Sequence, residues 1–269
     1  MSAKPSAVIT TCTPNNVRAL FAIVSVLIIT LTSVRLAMPP GVSLPVYANF
    51  PSDKLTIGAG VAIFHIATAR VVVCYHSRDK YYFLPKGRRN ANEDTCRAAE
   101  REGFEESGYR NRLLPLPLKH RQPDPDEGHV DFVTEPIWTQ FLPLTKTSQY
   151  LLFWYAAETI PPDVEVEYST AQAEGPAARV YRPPTPYPAK LKLSDRIWQD
   201  DPQVVEGKQQ FYEPKWHEGT GVDEEELLYK SYLLPIDEAR RKLEGSVMED
   251  VVKEGWDAIQ RRLELEGDT

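Results

Sequence analysis

Gly87-Arg-Arg-Asn-Ala-Asn-Glu93-Asp-Thr-Cys-Arg-Ala-Ala-Glu-Arg101-Glu102-Gly103-Phe104-Glu105-Glu106-Ser107-Gly108-Tyr109 is the stretch on which the reading of this chain turns. It reads as a loop, about four helical turns and a stop. Asn92 or Asp94 can cap the helix start, where free N–H groups need partners. Gly108 is placed to end it in the left-handed conformation. Glu102, Glu105 and Glu106 stand at i, i+3 and i+4, within roughly a 100° arc of one helix face. Like charges crowded on one face repel unless a cation sits among them. Hard oxygen ligands suit Mg²⁺ or Mn²⁺ rather than zinc.

The same residues carry a resemblance. Gly87, Glu93, Arg101, Glu102, Glu105, Glu106 and Gly108, followed by the bulky Tyr109, fall in the register of the Nudix box, G-x5-E-x7-R-E-U-x-E-E-x-G-U. Gly103 departs from it, standing where a bulky apolar residue is expected. The resemblance implies an α/β fold, a mixed sheet between helices in an α/β/α sandwich. It implies that Glu102, Glu105 and Glu106 hold Mg²⁺ or Mn²⁺. Arg101 would orient a catalytic glutamate, and Gly87 and Glu93 would brace the loop. Glu102 is one candidate base; in this family the base can also come from a distant loop. The implied activity is hydrolysis of a pyrophosphate bond. Its substrate would be a nucleoside diphosphate derivative, a dinucleoside polyphosphate or a related polyphosphate. The alternative is a non-catalytic nucleotide-binding or regulatory domain on the same scaffold.

Outward from the box, Leu55–Phe64 and Arg70–His76 are β-branched apolar runs, read as neighbouring strands. Residues 81–84 make a third short strand, and Pro85-Lys86-Gly87 is read as the turn that ends it. Lys86, Arg88 and Arg89 are candidate phosphate contacts, because guanidinium forks match phosphate oxygens; a solvated loop is the plain alternative. After the box, residues 137–144 and 149–157 read as strands, the second nearly all apolar and therefore central. Residues 159–215 hold nine of the 23 prolines and read as a long, partly irregular insertion, either a spacer or a substrate lid. Its aromatics favour a segment that packs. Residues 223–226 form an acidic run before a strand at 227–234, and Glu225 or Glu226 is a candidate extra ligand or distal base. A helix follows from residue 235, and Val247–Leu263 is a long amphipathic helix. The resemblance covers about residues 55–265.

Composition narrows the partners. A net charge of −7 gives no global basic field that points to nucleic acid and leaves room for a locally basic site; the resemblance implies a phosphorylated small molecule as the partner. Cys12, Cys74 and Cys96 are too few and too scattered for a disulfide framework or a zinc site. Residues 1–52, set apart from a hydrolase domain at 53–265, contain no Asp or Glu. Ala19–Val34 is uncharged and mostly apolar, about 24 Å long as a helix. Extended to Met38, the run at 19–38 suits a single-pass membrane anchor with the domain in the cytosol. A removed signal segment, a mis-assigned start and a soluble cytoplasmic protein are the alternatives.

Overall fold

The computed structural model describes residues 41–267, except 124–127, 129, 171–180, 201, 202, 206 and 207. The candidate anchor at 19–38 lies outside the described residues; among the described residues no helix is long and apolar enough to cross a membrane. The chain divides between Tyr47 and Ala48, and the fold below is that of the second unit.

In chain order the strands before the box are β1 (Leu55–His65), β2 (Arg70–His76), β3 (Tyr81–Phe83) and β4 (Lys86–Arg88). The box helix α1 (Thr95–Ser107) follows, then β5 (Asn111–Leu113), β6 (Trp138–Pro143) and β7 (Gln149–Thr159). Next come α2 (Pro162–Thr170), α3 (Leu193–Trp198) and a separate antiparallel pair, β8 (Gln203–Val205) and β9 (Lys208–Gln210). The chain closes with β10 (Tyr229–Pro235), α4 (Ile236–Lys242) and α5 (Val247–Gly267). The main sheet runs β10-β2-β1-β7-β5, with β3 on β2, β4 on β1 and β6 on β7. β1 and β7 pair in parallel from Leu55↔Gln149 to Phe64↔Glu158, whereas the other pairings are antiparallel. The sheet is therefore mixed. Its central strands are the two continuous apolar runs, as burial on both faces demands.

Alternation along β1 sends its side chains to two cores. Ala59, Val61 and Ile63 meet Tyr155 and Ala157 of β7 and Ala98 and Ala99 of α1. Ala62 and Phe64 meet Leu152, Trp154 and Ala156 of β7 and the apolar sides of α4 and α5. The sheet thus lies between helices, in the three-layer α/β/α order expected.

Two local expectations change. Lys86-Gly87-Arg88 is a short strand rather than a turn, paired to Gly60, Ala59 and Gly58. The bare backbone at Gly60 permits this: a Cβ there would stand 2.9 Å from Lys86 Cβ. Gly103 is also no weakness in packing. A Cβ on it would lie 2.6 Å from Asn111 Nδ2 and 2.8 Å from Val61 Cγ1. The Asn111 amide occupies the space and donates to the Glu100 carbonyl at 3.0 Å. Glu100 Oε1 in turn accepts from Leu113 N at 3.1 Å. Gly103→Val, the change that restores the box pattern, is expected to cost about 1–3 kcal/mol through overpacking, against a gain of a few tenths in helix propensity. A lowered urea midpoint checks this; an unchanged one would mean that Asn111 moves aside freely.

The described residues of the insertion pack against the rest of the domain. Tyr187 and Leu193 are buried in the core beneath α5. Leu193 N donates to Glu266 Oε2 at 2.6 Å. Arg196 of α3 is 2 % exposed and reaches the ends of the central strands. Its Nε lies 2.7 Å from Glu158 Oε2, and its Nη1 donates to Asp200 at 2.8 Å. Glu158 also accepts from Arg112 Nε at 2.6 Å. Asp200 Oδ2 stands 3.5 Å from His65 Nε2. Burial, with Arg70 and Arg196 nearby, pushes His65 down to about 4, so it enters this network neutral at pH 7.

Candidate metal and phosphate site

Helix α1 begins at Asp94, which takes the N-cap position with extended backbone but makes no side-chain capping bond. Asn92 turns the loop with φ +64° instead of capping. At the far end Gly108 has φ +75° and its N–H bonds to the Phe104 carbonyl, the stop read from the sequence. The helix lays Ala98, Ala99 and Gly103 against the sheet and Phe104 against Tyr181 and His217, which turns the glutamate arc toward β4 and the 223–226 loop.

Arg101 ties the loop to the helix. Its Nε and Nη2 donate to the two oxygens of Glu93 at 2.8 and 2.9 Å. Nη1 donates to Glu102 at 2.8 Å and Glu105 at 2.7 Å, and Nη2 also reaches the Arg88 carbonyl at 3.0 Å. A fixed fork of five donors permits this; a lysine could not match it. Glu93 completes the brace by accepting from Asn90 N at 2.8 Å, while Arg89 Nη1 donates to the Glu93 carbonyl. Arg89 thus gives one of its guanidinium donors to the loop. Arg88 stays exposed, and Lys86 lies by Glu106, whose Oε2 accepts from Lys86 N at 2.7 Å.

Glu102, Glu106 and Glu226 come together, each offering an oxygen within 4.8 Å of the others. Glu102 sits against Gly87 so closely that a Cβ there would overlap its carboxylate and displace it. Glu105 is drawn away to Arg101. Glu225 points elsewhere, its Oε1 3.5 Å from His76 Nε2. His76 Nδ1 accepts from Asp79 N at 3.0 Å, which leaves the ring proton on Nε2, facing Glu225.

The residues fit a hard divalent cation. Burial pushes the Glu102 carboxyl up to about 7 against the opposing pull of Arg101. Burial likewise holds Glu106 well above the usual carboxylate range and raises Glu226, each further raised by a neighbouring carboxylate. Three carboxylates gathered this way accept protons or a cation, and an all-oxygen set favours Mg²⁺ or Mn²⁺. The buried Tyr150 hydroxyl, with no hydrogen-bond partner among the described residues, lies over Gly58 near the Gly87 carbonyl.

A row across the sheet leads away from this cluster. Gly87 pairs with Ala59, Ala59 with Phe153, and Phe153 with Thr139. Gly87 and Phe153 are thus two strand spacings apart, about 10 Å. Phe153 and Thr139 line a cleft of about 560 Å³ with Lys119, Arg121, Glu135 and Arg261.

No protein-family model matches the chain, and no curated protein matches it. Similar solved structures include a NUDIX hydrolase from Nitrosomonas europaea, 10% identical, with 75% of this chain and 88% of that one covered at a TM-score of 0.37. A C. elegans Ap4A hydrolase binary complex is 14% identical over 77% of this chain and 98% of that one, TM-score 0.37. A NUDIX-family hydrolase from Clostridium perfringens is 14% identical over 77% and 97%, TM-score 0.33. Likeness at this level carries no argument about activity.

Four residues at the site carry no signal in the box. Asn111 replaces the missing side chain at Gly103. Trp216, His217 and Thr220 bond to the end of α1, more than a hundred positions away in sequence. One buried charge could have been anticipated: Glu158 is the lone acid closing an apolar strand, and such a residue needs a buried partner.

Proposed function

We propose that this chain is a Nudix-type hydrolase that uses Mg²⁺ or Mn²⁺ to cleave a pyrophosphate bond in a nucleoside diphosphate derivative or dinucleoside polyphosphate. The observation that carries the reading is the convergence of Glu102, Glu106 and Glu226 beside an Arg101–Glu93 brace. A divalent cation there supplies Lewis acidity at the phosphoryl oxygens and makes nearby water more acidic. Glu102, Glu106 and Glu226 would hold it. Arg101 steadies Glu102 and holds Glu105 aside, and Lys86 and Arg88 lie on β4 where phosphate oxygens would approach. The water oxygen bonds to phosphorus, the bridging P–O bond breaks, and the leaving phosphate keeps the electron pair. Glu102, the candidate base of the sequence reading, takes the water proton, and Glu226 is a ligand. The cleft at Phe153 is a candidate surface for the moiety beyond the scissile bond, lined by Lys119, Arg121 and Arg261 together with Glu135 and Glu254.

The test is release of nucleoside monophosphate or phosphate from a panel of such compounds with Mg²⁺ or Mn²⁺. Glu102→Gln is expected to lower kcat by about 10²–10⁴-fold, whereas Glu225→Gln, outside the cluster, is expected to leave kcat and Mn²⁺ affinity intact. Glu226→Gln is expected to weaken both. Wild-type protein that binds nucleotide in a calorimeter and turns over nothing in the panel would favour the non-catalytic reading.

A further inference from the structure

The last leg of the insertion does more than return the chain to β10. Trp216 Nε1 donates to the Ser107 carbonyl at 3.1 Å, His217 N to the Gly108 carbonyl at 2.9 Å, and Thr220 Oγ1 to the Glu105 carbonyl at 2.9 Å. These are carbonyls at the C-terminal end of α1, which the helix itself cannot satisfy. Gly108 is required here twice, for its positive φ and because a Cβ would press on His217 and Trp216. His217 Nε2 is further fixed to Glu165 of α2 at 2.8 Å. Immediately beyond, Gly221 packs so closely on Glu226 that a Cβ would lie 2.9 Å from Glu226 Cβ. Val222 N donates to Glu226 Oε2 at 2.5 Å. Asp223 Oδ1 accepts from both Glu225 N and Glu226 N at 2.9 Å.

We propose that residues 216–223 form a positioning arm that latches onto the end of the box helix and sets Glu226 against Glu102 and Glu106. Thr220 and Asp223 are its positioning residues. This rests on the metal-site reading above and assigns the insertion a role in it. Glu102 and Glu106 are placed by one helix, whereas Glu226 opens a single short turn, Glu226–Leu228, that leads into β10 and is held there by Ser77 N and Oγ on the Leu228 carbonyl. On its other side the arm ties it to α1. Thr220 is buried, so the latch works away from solvent, while Asp223 is exposed and its loss leaves the core untouched.

The experiment titrates Mn²⁺ alone into the full-length protein, read by calorimetry and by electron paramagnetic resonance of free Mn²⁺. Asp223→Ala and Thr220→Val are expected to weaken Mn²⁺ binding about 10–100-fold, the range for residues that orient metal ligands. Thr220→Ser keeps the hydroxyl and is expected to bind as wild type does. Should Thr220→Val fail to fold, Asp223→Ala decides. Wild-type affinity in Asp223→Ala, or in a folded Thr220→Val, overturns the arm and leaves the metal site standing. Wild type that binds no Mn²⁺ overturns both.

Discussion

Glu106→Gln is expected to lower turnover at least about a hundredfold and to leave the metal-free protein as stable as wild type or more so. The two effects have one cause. Glu106 is held well above the usual carboxylate range by burial, beside Glu102 and Glu226. Without a cation its charge is a liability, because taking a carboxylate out of water and placing it near others is unfavourable. An amide removes that liability, and its oxygen can still accept from Lys86 N. With the cation bound, the same charge is what holds it. Residues that merely orient a ligand typically change affinity 10–100-fold, so a ligand itself stands at or beyond the upper end. Measuring kcat/KM with Mn²⁺ and the metal-free melting temperature on one sample separates the two. Full activity would remove Glu106 from the site. A collapse in metal-free stability would make it a structural ion-pair residue instead.

Glu158→Gln is expected to be the costliest isosteric change away from the site, at about 3–5 kcal/mol. Arg112 and Arg196 face Glu158 from two sides, and all three are 3 % exposed or less. With Asp200 the group holds two positive and two negative charges. The amide leaves one positive charge buried without its counterpart, which is the expensive way to break such a network. At this chain length the loss corresponds to roughly a 10 °C fall in melting temperature. The effect is expected to extend to the insertion, because Arg196 is the side chain by which α3 reaches β7. Thermal unfolding followed by circular dichroism checks it. A shift below about 2 °C would mean that water reaches the network and screens it.

The two predictions mark where the sequence was legible. The box states its own geometry, because i, i+3 and i+4 on a helix are neighbours whatever surrounds them. The central strands were equally readable, since a strand covered on both faces must be apolar along its length. Strand–helix order after residue 227 also followed from local pattern. Pro-Lys-Gly has the chemistry of a turn, yet Lys86–Arg88 is a strand. Its strand conformation depends on Gly58 and Gly60 across the sheet, which a local reading does not see. The insertion was opaque for a related reason. Prolines mark irregular backbone, but they do not reveal that Tyr187, Leu193 and Arg196 find sites on another part of the chain.

By itself, then, the sequence determined the helix that carries Glu102, Glu105 and Glu106, its glycine stop, the apolar strands beneath it and the all-oxygen character of the site. Those depend on periodicity, backbone freedom and ligand hardness, each a property of neighbouring residues. Only the tertiary structure decided which glutamates converge. It turned Glu105 toward Arg101, brought Glu226 from more than a hundred residues away, left Glu225 to His76, and filled the gap at Gly103 with Asn111. Side chains brought together across such distances are set by packing and by the arm that holds the loop, and neither is written in the spacing of a motif.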